Sequence, residues 1–213
     1  MTHRKRNMRL AGVMLGLLLI PMANIAMAAT PLTCKDLSPG KKNGIDLLVD
    51  ERGERLIASE LKAVKKLFKR MSGHWRGVYK RRECLEGANG TAPKTVQMQV
   101  FVEALWTTNR VLDLETSVIK RGREDTDVSR LFFKLHDGFI REALDDERQT
   151  VLVLEAGATR LSTYRRQSQW VRNRYSPVEI GSSLSLNGKR LTIRKVVFKD
   201  GSFALEETWR LRR

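Results

Sequence analysis

The spacing of apolar residues changes character at Gly73, from a helical to a two-residue period. Before that point Leu56, Ile57, Leu61, Val64, Leu67, Phe68 and Met71 recur at helical intervals, and Lys62, Lys65, Lys66, Lys69 and Arg70 fill the other positions. This pattern predicts an amphipathic helix over 54–72, stopped at Gly73. A basic helix of this kind either lays its apolar face on its own domain or docks on anionic headgroups. The first use is favoured, because the helix carries no tryptophan and runs directly into the strand region.

After Gly73, Val96, Met98, Val100, Val102 and Ala104 alternate with Gln97, Gln99, Phe101 and Glu103, and residues 111–119, 128–135, 138–144, 150–155, 160–170 and 182–186 repeat the habit. Turn residues separate the runs, among them Asp137-Gly138, Asn187-Gly188 and Asp200-Gly201, which suit tight hairpins with positive φ. No helical pattern lies between them, which excludes parallel sheets built on crossover connections. The predicted fold is mainly β, a single antiparallel up-and-down barrel of about 8–10 strands over 73–213 preceded by one amphipathic helix, since closure removes the edges a long meander would expose.

The N-terminal 28 residues read as a signal peptide: a basic start (Arg4, Lys5, Arg6, Arg9), an apolar stretch broken by Pro21, and Ala26-Met27-Ala28 as the cleavage site. Cys34 lacks the small-residue box of a lipid anchor and the start lacks paired arginines, so the general secretory route is expected. The style of the leader is bacterial, placing the protein in the periplasm or outside the cell. Residues 29–53, rich in Pro, Gly and Lys, read as an N-terminal arm. Cys34 and Cys84 are the only cysteines, and an oxidising compartment favours their pairing.

The net charge is +16, and because residues 1–28 hold four Lys/Arg and no carboxylate, the remaining 185 residues keep +12. Such basicity suits anionic lipid, an acidic protein or nucleic acid as partner, and export removes the last. Adjacent cations at Arg165-Arg166, Lys189-Arg190 and Arg194-Lys195, and the nearby Arg172 and Arg174, read as parts of this basic exterior. The chain ends Arg212-Arg213 rather than on an aromatic and carries charges on both faces of several strands, unlike a barrel that spans an outer membrane.

In the stretch GHWRGVYKRREC, an inward Trp75 sends Gly77, Tyr79 and Arg81 inward and Arg76, Val78, Lys80 and Arg82 outward. Parity on the last strand places Phe203, Leu205, Glu207, Trp209 and Leu211 inside. Arg81 then either pairs with Glu207 near a wet rim or meets an anionic headgroup.

The Gly73-x-Trp75 entry to the first strand, the meander and the ending ETWRLRR resemble the lipocalin and fatty-acid-binding (calycin) superfamily. The resemblance implies that Trp75 packs at the closed end of the barrel under an arginine from the last strand, here Arg210 or Arg212. A helix before the first strand and the lack of a T-D-Y triplet depart from a typical lipocalin.

No G-x-S-x-G, H-E-x-x-H, P-loop or C-x-x-C motif is present, and His74 and His136 lack partners at metal spacing. The expectation is therefore a non-enzymatic exported barrel, without metal or cofactor, that binds a small apolar or amphiphilic molecule, with the charge favouring an anion. Tyr79, Arg81 and Glu207 would meet it, with Met98, Val100, Phe133 and Phe203 as lining. Trp75, Arg210, Cys34 and Cys84 would be structural. The alternative is a filled barrel whose basic surface contacts anionic envelope lipid or an acidic protein.

Overall fold

The computed structural model describes residues 33–37, 55–84, 91–120, 123–144, 147–171 and 174–213, so the expected signal peptide and all of the expected arm except 33–37 lie outside the described residues. Two helices, α1 (Cys34–Leu37) and α2 (Ala58–Met71), accompany eleven strand segments: β1 (Gly73–Glu83), β2 (Lys94–Trp106), β3 (Val111–Lys120), β4 (Arg123–His136), β5 (Phe139–Leu144), β6 (Glu147–Thr150), β7 (Leu152–Ala156), β8 (Arg160–Val171), β9 (Arg174–Asn187), β10 (Arg190–Lys199) and β11 (Ser202–Arg212). Pairing is antiparallel throughout, in the order β6-β5-β4-β3-β2-β1-β11-β10-β9-β8-β7.

The two ends of that order are halves of one bent strand. Only Val151 separates β6 from β7, and its N–H donates to Ile140 O at 3.0 Å, so the first half pairs with β5 and the second with β8. The result is a nearly closed, mainly β, up-and-down barrel of ten strands, with the bent strand 147–156 bridging the seam. Tight turns supply the meander: Asp137 and Gly138 both take positive φ, as do Asp200 and Gly201, and Gly188 does so between Asn187 and Lys189.

α2 buries Val64, Leu67, Phe68 and Met71 and keeps Lys62, Lys66 and Lys69 exposed, so its apolar face serves its own domain. It packs on β2 and on β7 and β8, which stand on opposite walls of the ring, and so lies across one mouth of the barrel. We call this the upper end. Phe68 meets Trp106 at 5.5 Å and Phe133 at 6.0 Å, and one apolar cluster runs from the helix into the interior through Leu112, Leu114, Leu161, Leu184 and Trp209. Ile57, at the N-cap, is exposed and offers no side-chain oxygen; its N–H donates instead to Glu60 Oε2 at 3.0 Å.

The upper end is locked at Trp75, which is 1% exposed and donates from Nε1 to Met71 O at 2.7 Å. The guanidinium over its ring is that of Arg213, 4.1 Å from the centroid, not that of Arg210 or Arg212. Arg210 faces outward and is exposed. Arg213 Nη2 also donates to the carbonyls of Arg70, Met71 and Ser72, the acceptors that the end of a helix leaves unsatisfied.

At the lower end Cys34 and Cys84 form a disulfide, and Cys34 N–H donates to Thr91 O at 2.9 Å. Thr33 to Leu37 is a helical turn rather than extended arm, because Thr33 and Asp36 cap each other: Thr33 N–H and Oγ1 donate to Asp36 Oδ2 at 2.8 and 2.7 Å. No described helix is long and apolar enough to cross a membrane.

Candidate functional site

Strand register brings a belt of polar side chains together inside the barrel. Arg81 on β1 stands opposite Glu207 on β11, Glu207 opposite Lys195 on β10, Lys195 opposite Ser182 on β9, and Ser182 opposite Thr163 on β8. Directly opposed residues share a face, so the five point into the same level of the interior. Glu142 on β5 joins them across the bent strand, accepting from Ser182 Oγ at 2.9 Å and Thr163 Oγ1 at 3.5 Å. Arg165 lies two residues below Thr163 on the same inward face and is buried. The opposite arc of this level is apolar: Arg81 stands beside Val96, Tyr79 beside Met98 and Glu142 beside Phe133.

The belt is buried, with Glu142, Arg165, Lys195 and Glu207 all at most 6% exposed. Charges so placed must be compensated. Glu207 accepts from Tyr79 OH at 2.6 Å and faces Lys195 Nζ at 3.5 Å. Arg81, half-buried, forms its ion pair with Glu83 at 3.2 Å rather than with Glu207, while its Nε is buried with no hydrogen-bond partner among the described residues. Among the described residues three cations, Arg81, Arg165 and Lys195, thus share the inward face with three carboxylates, Glu83, Glu142 and Glu207.

Ionisation follows the surroundings. Burial pushes the Glu142 carboxyl above the usual range, against the pull of Arg165, the Ser182 hydroxyl, Lys195 and Thr163. Burial and the Glu207 carboxylate likewise push the Tyr79 phenol up, so it remains a donor. Burial alone would weaken the charge on Arg81, but Glu83, Tyr79 and Glu207 outweigh it and hold the guanidinium protonated.

Among the residues expected to meet a ligand, Tyr79, Arg81, Glu207, Met98, Val100 and Phe133 face the interior. Phe203 does not. Val197 pairs with Leu205 but Phe198 pairs with Phe203, so Ala204 is an extra residue on β11. That bulge reverses the parity below it, so Phe203 shares the face of its partner Phe198, ring centroids 6.1 Å apart, and is buried there at 7% exposed. Arg165 and Lys195, expected outside, are inside, while their neighbours Arg166 and Arg194 are exposed. Glu142, Thr163 and Ser182 are the members of the belt that the sequence reading passed over. Strand alternation was the signal that could have found them: in Leu191, Ile193, Lys195 and Val197 the lysine shares the parity of three apolar residues.

Two clefts lined by described residues lie on the outer wall. One, of about 260 Å³, crosses β1 and β11 between Lys80, Arg82, Glu206 and Arg210; the other, of about 660 Å³, lies between His74, Arg76, Phe101, Arg212 and Arg213. Among the described residues no cluster of His, Cys, Asp and Glu could hold a metal ion. No protein-family model matches the chain, and no curated protein is recognisably similar to it.

Proposed function

We propose that this chain is an exported, non-enzymatic carrier that holds an amphiphilic anion inside the barrel, entering from the lower end. The observation that carries the reading is Arg81, whose Nε is buried inside the barrel with no hydrogen-bond partner among the described residues. An anionic headgroup beside Arg81 and Lys195 takes the Arg81 Nε–H and places its tail against the lower apolar cluster of Val178, Ile180 and Val197. α2 and the apolar cluster around Trp75 and Trp209 fill the upper half, so the reading puts the ligand in the lower half. A calycin relationship is part of the proposal, supported by the inward Trp75 under an arginine at the sealed end.

The disulfide is consistent with an oxidising compartment and so supports export. The test is to purify the protein from its native host without detergent, release bound molecules with organic solvent and identify them by mass spectrometry. The expected result is an amphiphilic acid in near-stoichiometric amount, lost from the Arg81→Ala protein. An empty extract, with no uptake of long-chain carboxylates by the purified protein, would end the carrier reading.

A further inference from the structure

We infer that the outer face of β8, β9, β10, β11 and β1 is a docking surface for an anionic lipid bilayer, independently of what the interior holds. Register assembles this face in rows. Arg76, Arg212 and Arg190 stand side by side; the next row holds Arg210, Thr192, Ser185 and Arg160, and the next Lys80, Thr208, Arg194 and Ser183. Hydroxyls and cations therefore interleave over the upper part of this wall, with Val78 beside Arg210 and the Phe198–Phe203 pair lower down.

Among its described residues the only carboxylates on this wall are Glu206, which already accepts from Arg82 and Arg194, and Glu179, which accepts from Tyr164. The outer face of β2 to β4 is different in kind, since Glu103, Asp113 and Glu115 there balance Arg130 and Lys134. Among the described residues the two walls thus differ in charge, and the basic one meets anions.

A second feature selects lipid among anions. At the lower edge of the basic face, on the β8–β9 hairpin, Trp170 and Tyr175 are 57% and 72% exposed and pack edge to face at 4.7 Å. Large aromatic rings left in water on the same outer wall, ten residues along β8 from Arg160 with the exposed Arg166 between, match the polar–apolar boundary of a bilayer, where an amphipathic ring is at home. They match single-stranded nucleic acid poorly, because the edge of one ring covers a face of the other instead of leaving two parallel faces free for stacking. The wall is convex, so β10 and β11 approach the lipid first, and cations on the flanks stay within about a Debye length of the surface.

The test is flotation of the full chain with vesicles of phosphatidylcholine alone or with about 30% phosphatidylglycerol, at low and at raised salt. Binding is expected only to the anionic vesicles, falling steeply with salt. The Arg76→Glu, Arg210→Glu, Arg212→Glu triple variant should lose at least about a hundredfold in partitioning. A milder Arg190→Gln, Arg210→Gln variant, with melting temperature as the check on folding, should lose about tenfold or more. Brominated lipid should quench Trp170 fluorescence, an effect removed by Trp170→Phe, and Trp170→Ser with Tyr175→Ser should weaken binding while leaving the melting temperature unchanged.

Several results overturn the inference: equal binding to neutral vesicles, no binding at all, or binding untouched by the charge variants. Vesicle binding matched by polyglutamate and indifferent to Trp170 and Tyr175 also overturns it, and assigns the face to an acidic protein instead.

Discussion

Removing the Arg213 side chain should uncouple α2 from the barrel at its upper end. In the intact protein this guanidinium donates to the carbonyls of Arg70 at 3.1 Å, Met71 at 2.9 Å and Ser72, and lies 4.1 Å above Trp75. A charge-assisted cap on a helix terminus contributes about 1–2 kcal/mol when the donor is exposed, as this one is. A cation over a tryptophan contributes about 0.5–1 kcal/mol at such a site. Arg213→Ala should therefore destabilise the protein by about 1.5–3 kcal/mol, a fall in melting temperature of about 4–9 °C for a domain of this size. Urea unfolding followed by near-UV circular dichroism reads the change, since Trp75 and Trp209 are both buried in the affected region. Arg213→Lys should recover part of it, because an ammonium keeps the charge and loses the planar fork. If Arg213→Ala stays within about 0.5 kcal/mol of the parent, or Arg210→Ala costs as much, the locking role assigned to Arg213 is wrong.

Other consequences can be checked on the same instruments. A Cβ at Gly77 would stand 2.0 Å from Arg210 O, so Gly77→Ala must part β1 from β11 and should cost more than about 3 kcal/mol or prevent folding; a soluble variant with an unshifted melting temperature would contradict the close approach. Replacing Cys34 and Cys84 by Ser opens a loop with a sequence separation of 50 and should lower stability by about 3–4 kcal/mol, and two alkylatable thiols in the denatured, unreduced parent would deny the bond. Because the folded protein holds the Glu142 proton more tightly than the unfolded chain, the cost of this residue is absent below the ordinary carboxylate range and grows as pH rises through the elevated value. Glu142→Gln should accordingly match the parent near pH 4 and exceed it in melting temperature near pH 8; a variant weaker than the parent at pH 8 would mean that Arg165 and Lys195 outweigh burial.

What the sequence made legible was whatever strand alternation and turn chemistry dictate locally. Trp75 and Tyr79 follow from the period of two, the hairpin at Asp200-Gly201 from the need for positive φ, and the face that α2 buries from its own wheel. Some of the readings that failed depended on distant parts of the chain, and one on alternation not carried through locally. Phe203 was expected inside because the bulge at Ala204 shows only in the pairing of β10 with β11. Arg165 and Lys195 sit next to other cations, and a pair of adjacent charges looks like surface until alternation is applied to each member. Glu207 shares a register position with Arg81, yet its oxygens go to Tyr79 and Lys195, a choice fixed by three strands meeting. The closing of the barrel through a strand that changes partners at Val151 left no mark in composition at all.

The central claim, that the buried belt is an anion site, is tested most directly by a headgroup series. Three amphiphiles with the same tail, a carboxylate, an alcohol and a trimethylammonium, are titrated below their micelle concentrations into delipidated protein, and affinity is read by calorimetry. The account predicts that the carboxylate binds at least about tenfold more tightly than the alcohol, that the cation does not bind, and that Arg81→Ala removes the carboxylate's advantage while preserving the melting temperature. Equal affinity for all three, or a preference for the carboxylate that survives in both Arg81→Ala and Lys195→Met, would contradict it.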